Sequence, residues 1–404
     1  MPVPAGLRAL AHRDFRLFWS GQLVSLIGTW MQSVGQSWLV LELTDSPFKL
    51  GVIGTLQFAP MLVFSFIGGA ISDRVRKRRL IIATQTALMV QALSLAALVW
   101  SGHVRYWHVM ILATLYGLAN TLDMPARQAF IVDLVGKAGL TSAIALNSAM
   151  FNGARMVGPA AAGLLVARYG AAVAFLANGL SFVAVIAALL AMRTEGHPHP
   201  RSGAGLVEEM REGVRYAAGT PRIVLVLGLL LSVSLFVLNY NVLVPLIARD
   251  VLHEGAHGFG LMMSALGLGA MTGALTLALF GLGRPPVAMV VVPALVVCAG
   301  TLSLTWARNF HAALVVLAVI GCAQIVFTSS CNSTVQLTVP DALRGRLMGL
   351  YALVFVGVTP IGSLFVGTTA EHFGVLTACA VAGGAGLASV LALTTKWAWD
   401  RRSS

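Results

Sequence analysis

The sequence predicts an all-α membrane protein with twelve transmembrane helices in two related six-helix halves, and three observations carry that prediction. Of the 404 residues, 57% are hydrophobic and only 10% charged, whereas a soluble domain carries roughly a quarter charged residues; the mean hydropathy is +0.84. The apolar residues fall in separate stretches of about twenty or more, the length at which a helix crosses a bilayer. Setting residues 134–170 against 338–374, a shift of 204, pairs Val135 with Val339, Phe151 with Phe355, Gly153 with Gly357, Gly158 with Gly362, Gly163 with Gly367 and Gly170 with Gly374. Such a gapless recurrence marks an internal repeat. Barrel strands fit less well, because the stretches exceed the ten or so residues of a spanning strand and lack its alternation.

The first span covers 15–43. It is less apolar than its neighbours, and Gln22, Ser25, Thr29, Gln32 and Gln36 recur along it at steps of three and four, which is one helical face. A polar face turned to lipid leaves amides unsatisfied, so this one either lines a water-filled cavity or bonds to other helices. Arg8 and Arg13 before it and Arg16 at its start come without the short apolar core and cleavage site of a signal peptide, so the helix is expected to be retained. A Thr44-Asp45-Ser46-Pro47 turn leads into the second span, 48–72, with proline near the helix start. Between it and the third span, 80–100, runs Gly68-Gly69-Ala70-Ile71-Ser72-Asp73-Arg74-Val75-Arg76-Lys77-Arg78-Arg79, a tight basic turn. Its five cations are costly to translocate, which predicts a cytoplasmic position.

The fourth span, 107–124, presents Tyr116, Asn120 and Asp123 at steps of four and three, followed by Arg127 beyond Pro125. Asp123, an acid at a membrane boundary, is either a protonatable carrier or the partner of Arg74 or Arg76 in a gate latch. In the fifth span, 141–166, Ser148, Asn152 and Arg155 share a face. Arg155 is a permanent cation inside an apolar helix, so it projects into a central cavity or bonds to carbonyls or an acid. After the sixth span, 171–192, comes the only extended polar segment, 193–222. It contains His197-Pro198-His199-Pro200, read as a solvated loop, and a surface amphipathic helix at 205–218. The second half supplies spans at 223–247, 258–282, 286–306, 312–331, 343–369 and 375–397. Asn239 lies on the polar stripe of the seventh and Gln324 on that of the tenth. The expected domains are therefore 1–192, a central loop 193–222, and 223–404. Cys298, Cys322, Cys331 and Cys379 fall inside apolar spans without metal-site spacing.

The net charge of +12 resides in the turns. With the N-terminus inside, cytoplasmic segments hold 21 lysines and arginines and outer turns 5, so both termini are predicted cytoplasmic. Position thus explains the basic balance, and nucleic acid is not an expected partner.

Gly69, Ile71, Asp73, Arg74, Lys77 and Arg78 occupy the positions of Gly-x-Leu-x-Asp-Arg-x-Gly-Arg-[Arg/Lys], so the basic turn resembles motif A of the major facilitator superfamily, with Arg76 replacing the second glycine. Gly158-Pro159-Ala160-Ala161-Ala162-Gly163 resembles motif C, associated in the superfamily with antiporters, with Ala162 replacing one glycine. Pro125-Ala126-Arg127-Gln128-Ala129, Ala145-Leu146-Asn147-Ser148, Phe151-Asn152 and Arg155 are similar to the branch that includes the enterobactin exporter and the macrolide efflux permeases. The resemblance implies the major facilitator fold and a secondary active transporter, not an enzyme. It would export a small molecule (drug, siderophore or other metabolite) across the bacterial plasma membrane by alternating access with proton antiport. Importers and uniporters share the fold, and a non-transporting receptor or enzyme is the remaining alternative. No Gly-x-x-x-x-Gly-Lys-[Ser/Thr] run is present to support direct ATP hydrolysis.

The substrate-binding residues expected from these faces are Gln22, Thr29, Gln32, Gln36, Tyr116, Asn120, Asn152, Arg155, Asn239 and Gln324. Asp123 is the expected proton-coupling residue. Gly69, Asp73, Arg74, Lys77, Arg78, Gly158, Pro159, Gly163 and Arg344 form the expected conformational gate, with Asp73 docked at the cytoplasmic start of the eleventh span near Arg344 or Arg346. No cofactor or metal is expected. The partners are a small-molecule substrate, protons and the lipid bilayer, and the chain is expected to act as a monomer.

Overall fold

The computed structural model describes residues 5–198, 206–280 and 285–402, which are helical apart from short connections and contain no strand among the described residues. Fourteen α-helices follow one another: α1 (Arg13–Thr44), α2 (Pro47–Arg74), α3 (Lys77–Trp100), α4 (Tyr106–Tyr169), α5 (Ala171–Ala191), α6 (Leu206–Ala218), α7 (Pro221–Phe236), α8 (Tyr240–Leu246), α9 (Ala256–Phe280), α10 (Ala288–Ser303), α11 (Phe310–Thr338), α12 (Asp341–Val356), α13 (Thr359–Phe373) and α14 (Val375–Arg402). Among the described residues, ten stretches are long and apolar enough to cross a bilayer. The 64-residue α4 supplies two crossings, because Gly136 interrupts it at φ 63° and ψ −179°. With α1, whose polar face lowers its hydropathy, the expected twelve are present.

Several boundaries differ from the sequence reading for physical reasons. Pro125, just beyond the expected end of the fourth span, lies inside α4; proline removes one N–H from the helical ladder, a loss that a packed helix can tolerate. The fourth span therefore continues helically past Arg127 towards Gly136. The seventh span is broken, since Leu238 and Asn239 leave the helix between α7 and α8, and a π-helical turn, Ile247–Val251, follows. The eleventh breaks at Gly357 between α12 and α13. The repeat is visible in the backbone, because the related Gly170 and Gly374, which end α4 and α13, have φ/ψ of 81°/169° and 84°/161°. Both conformations favour glycine.

The chain forms two compact units, and neither is continuous in sequence. The first comprises Met1–Asp45, Leu56–Arg201 and Glu254–Ser264, and the second Ser46–Thr55, Ser202–His253 and Ala265–Ser404. Helices α2 and α9 thus each contribute to both. In the first unit Phe15, Phe18, Phe130 and Phe182 are buried together, with Phe18 and Phe130 edge to face at 5.7 Å. Also within it, the start of α9 seats against α4: a Cβ on Gly163 would lie 2.9 Å from the Ala256 carbonyl oxygen and 2.9 Å from Gly260 Cα. In the second unit a Cβ on Gly51 would lie 2.5 Å from the Ser363 carbonyl oxygen, and one on the repeat-related Gly367 2.8 Å from that of Pro47. Small residues make such approaches possible. Glu371 Oε2 accepts hydrogen bonds from Ser46 Oγ (2.8 Å) and Phe48 N (3.0 Å), placing a carboxylate on the first turn of α2.

Asp14 ties the start of α1 to the segment after α5. Its Oδ2 accepts from Arg193 N (2.9 Å), Thr194 N (2.8 Å) and Thr194 Oγ1 (2.8 Å). Burial alone would raise its pKa, but the Thr194 and Arg193 hydrogen bonds and the neighbouring Arg13 hold it below the usual carboxylate value. A depressed folded pKa contributes stability above the unfolded value of about 3.9, and that contribution is lost as pH falls through the folded value. Asp14→Asn should therefore lower the unfolding midpoint at pH 7. The gap to wild type should close as the pH is taken below about 4; a gap constant across that titration would exclude the staple.

Candidate functional site

The polar face of α1 divides among three neighbourhoods in the first unit. At one end Gln22, 2% exposed, accepts a hydrogen bond through Oε1 from Arg127 Nη1 at 2.7 Å. Arg127 forms an ion pair with Asp123, one helical turn earlier on α4, with Nε and Oδ2 2.6 Å apart. Asp123 is fully buried, and its Oδ1 accepts from Thr84 Oγ1 (2.7 Å) and Gln85 Nε2 (3.0 Å) of α3. Removing a charge pair from water costs several kcal/mol per ion, a cost met only when partners satisfy the remaining lone pairs. The expected partner of Asp123, Arg74 or Arg76, is corrected to Arg127. Side chains at i and i+4 lie one above the other on a helix, while Arg74 is exposed and Arg76 pairs with Glu195.

Further along α1, Gln32 is part of a buried amide chain. Its Nε2 donates to Gln91 Oε1 at 3.0 Å, and its Oε1 accepts from Asn178 Nδ2 at 2.7 Å. Gly28, one turn earlier, lets α5 come close, for a Cβ there would lie 2.4 Å from Ser181 Oγ. Gln32 therefore follows the interhelical alternative that its stripe left open. Gln36 is buried and its Oε1 has no hydrogen-bond partner among the described residues. Thr29 returns its hydroxyl to the Ser25 carbonyl.

The third neighbourhood joins α1 to the part of α4 beyond Gly136. Trp30 meets Phe151 edge to face at 5.8 Å, and Arg155 Cζ sits 5.8 Å from the Trp30 ring centroid. Gly158 permits this approach, since a Cβ would lie 2.6 Å from Trp30 Cβ. Asn152 donates to the Ser148 carbonyl and is buried with its Oδ1 unpartnered, as is Trp30 Nε1, among the described residues. Tyr116 and Asn120 are half-buried, the amide donating to the Tyr116 carbonyl.

In the second unit Asn239 spans the break between α7 and α8. Its Nδ2 donates to the Leu235 carbonyl at 2.9 Å and its Oδ1 accepts from Ser363 Oγ of α13 at 3.4 Å, against the repeat glycine Gly362. Gln324 is half-buried on α11, where its carbonyl accepts from Thr328 Oγ1.

Of the expected gate residues, Lys77 is 2% exposed and paired with Asp133 at 3.1 Å, while also donating to the His197 carbonyl. Arg78 donates to the Leu190 carbonyl at 3.0 Å, and its backbone N–H to that of Glu195. The motif A turn is thereby clasped to the segment after α5. Gly69 has open space where a Cβ would be, and Pro159 is buried beside Gly158. Arg344 donates to the Gln336 carbonyl, and Arg346 is taken by Glu212 of α6. The Asp73 side chain lies outside the described residues, as do His199 and Pro200.

Sequence reading missed Thr84, Gln85, Gln91, Asn178, Trp30 and Asp133 as members of these clusters. A signal existed for two of them: Thr84 and Gln91 lie seven residues apart, two turns along one face of the third span. Trp30 carried none, because an aromatic in an apolar helix is ordinary.

Comparison with known proteins agrees with this architecture. A major-facilitator family model described as Transmembrane secretion effector matches residues 5–399. The Staphyloferrin A transporter of Staphylococcus aureus (strain NCTC 8325 / PS 47) is 25% identical over 386 residues, 91% of this chain and 92% of that one. The multidrug efflux pump Tap of Mycolicibacterium fortuitum is 27% identical over 362 residues, 86% and 87% of the two chains. The crystal structure of the nucleoside transporter NupG superposes with a TM-score of 0.70 at 14% identity, covering 97% of this chain and 99% of that one.

Proposed function

We propose, from the premise that this chain belongs to the transmembrane secretion effector family of the major facilitator superfamily and is a multi-pass membrane transporter of a small molecule, that it exports its substrate by proton antiport. The substrate would be a drug, siderophore or other metabolite. The membrane would be the bacterial plasma membrane, with both termini cytoplasmic and the chain acting as a monomer. Similarity along nearly the whole chain to a multidrug efflux pump supports export.

The observation that carries the coupling is the buried Asp123–Arg127 pair, to which α1 contributes Gln22 and α3 contributes Thr84 and Gln85. Neutralising Asp123 would release Arg127 and with it the hydrogen bond to Gln22, so one proton would change the polar bonding among three helices. An intramembrane acid of this kind serves proton relays elsewhere. The polar faces around Tyr116, Asn120, Asn152 and Arg155 in the first unit, and around Gln324 in the second, serve the substrate. Gln22, Thr29, Gln36 and Asn239 border the same path in this reading; Gln32 does not, because both ends of its amide are taken by Gln91 and Asn178. The motif A residues and the Gly158-Pro159 to Gly163 segment act as the gate.

Efflux-deficient bacterial cells carrying the chain should survive higher concentrations of some members of a drug, siderophore and dye panel than cells with empty vector. They should also accumulate less of those compounds. Greater accumulation in the expressing cells would indicate import instead.

A further inference from the structure

Each unit contains one closely packed helix seam, and the two seams match position by position except for one carboxylate. In the second unit α13 lies along the start of α2, where a Cβ on Gly51 would be 2.5 Å from the Ser363 carbonyl oxygen and one on Gly367 2.8 Å from that of Pro47. In the first unit α4 lies along the start of α9, where a Cβ on Gly260 would be 2.5 Å from the Pro159 carbonyl oxygen and one on Gly163 2.9 Å from that of Ala256. Pro159 and Gly163 are the repeat partners of Ser363 and Gly367, as Ala256 and Gly260 are of Pro47 and Gly51. The helix starts are finished differently. The first N–H groups of a helix have no partner within it. In α2, Pro47 has no N–H, Lys49 N donates to Ser46 Oγ and Leu50 N to the Ser46 carbonyl, both at 3.2 Å, and Phe48 N donates to Glu371 Oε2 at 3.0 Å. Ser46 Oγ donates to the same carboxylate oxygen at 2.8 Å. The cap of α2 is thus completed by another helix, α13. At α9 the carboxylate is local: Glu254, just before the helix, folds over its first turn with Oε2 2.8 Å from where a Gly258 Cβ would be. The repeat partner of Glu371 on α4 is Ala167.

Resting on the transporter reading above, we propose that Glu371 is a latch: it holds the start of α2 on α13, so that this seam, and not its repeat-related counterpart, is released by the loss of a single side chain's bonds. In the topology proposed above, this end of α13 faces the outside, so the latch belongs to the outwardly closed arrangement. The surroundings suit a contact that is made and broken. Glu371 is exposed, so its carboxylate can exchange the two donors of α2 for water. Below it the seam consists of Gly51, Gly54, Ser363 and Gly367, with a further hydrogen bond from Thr55 Oγ1 to the Pro360 carbonyl at 2.9 Å. Small residues leave no interlocked side chains to withdraw. The second unit includes α2 only as far as Thr55, so freeing its first turns frees all that this unit holds of the helix. A carboxylate at a helix start is favoured by its charge as well as by its hydrogen bonds, and the latch therefore depends on the anion.

The test reads each seam with a reporter cysteine, using the full chain in lipid nanodiscs. Ser363, 3% exposed, faces Gly51 and Gly54, and Met263, also 3% exposed, holds on α9 the place that Gly54 holds on α2. Ser363→Cys and Met263→Cys are made separately, and the rate of modification by a charged maleimide, above that of the chain without a reporter, is measured with and without Glu371→Gln. The glutamine keeps the shape and removes the charge. Ser363→Cys should then react about fivefold faster, the scale of one lost helix cap, while Met263→Cys keeps its rate. Ser46→Ala, which deletes one donor and leaves the carboxylate charged, should also accelerate Ser363→Cys, which separates the latch from any effect of the charge on the thiol. Thermal unfolding of each variant, measured alongside, identifies any that fail to fold; should Glu371→Gln be one of them, Ser46→Ala carries the same comparison. Acceleration of both reporters would mean general loosening and would overturn the latch, as would an unchanged rate at Ser363→Cys in folded protein. Labelling needs no substrate, so the two readings can fail separately. Acceleration confined to Ser363→Cys, with no drug resistance conferred by the unmodified chain, would uphold the latch and overturn export. Resistance with unchanged labelling would uphold export and overturn the latch.

Discussion

Asp123→Asn is expected to abolish gradient-driven accumulation in inside-out vesicles and to lower the unfolding midpoint of the purified protein. Both effects have one origin. Asp123 is fully buried and is the anion against which Arg127 is paired, so the amide leaves a cation inside the bundle with only Gln22 Oε1 described as a partner. Breaking one side of a buried pair costs about 3–5 kcal/mol, because the surviving charge stays desolvated. Asp123→Asn combined with Arg127→Gln should recover most of the stability, since no charge is then stranded, and should not recover coupling. The two readouts thus separate a structural pair from a carrier. Gradient-driven accumulation unchanged in Asp123→Asn vesicles would remove Asp123 as the proton-coupling group, and flux that ignores the imposed pH gradient in the wild type would remove proton antiport.

Gly163→Leu and Gly51→Leu should each reduce thermal stability and transport, and by similar amounts, although the residues lie in different units. Gly163 faces backbone atoms, the Ala256 and His257 carbonyl oxygens at 2.9 and 3.1 Å from a built Cβ, and Gly51 faces the Ser363 carbonyl oxygen at 2.5 Å. Backbone cannot rotate aside as a side chain can, so the helices must separate, and overpacking of this kind costs about 1–3 kcal/mol. Gly349→Leu is the control, because that glycine is exposed on α12 and a Cβ there meets nothing within 4 Å. The control should melt like wild type in a fluorescence thermal-shift assay. Were Gly163→Leu to melt with it, the close approach of α9 to α4 would not contribute to the folded protein.

What could be read in the sequence follows from which physical signals are local. Hydrophobic stretches of bilayer length, the basic turns and the glycine recurrence at a shift of 204 depend only on residue order, and they determined the twelve helices and the repeat. Membership of the family was legible in Gly69, Asp73, Arg74, Lys77 and Arg78 for the same reason. Helical steps also showed that Gln22, Gln32 and Gln36 share a face. Only the tertiary structure decided what each met. Arg127 at Gln22 and Gln91 with Asn178 at Gln32 come from 59 to 146 residues away, and a one-dimensional pattern records that a face is polar without recording what stands opposite it. Lys77 shows the same limit from the other side. In sequence it is one more cation in a solvated basic turn; in the fold it is buried on Asp133, because the turn is clasped by the segment that follows α5. A buried charge is stable only beside its partner, and where two distant segments meet is a property of packing.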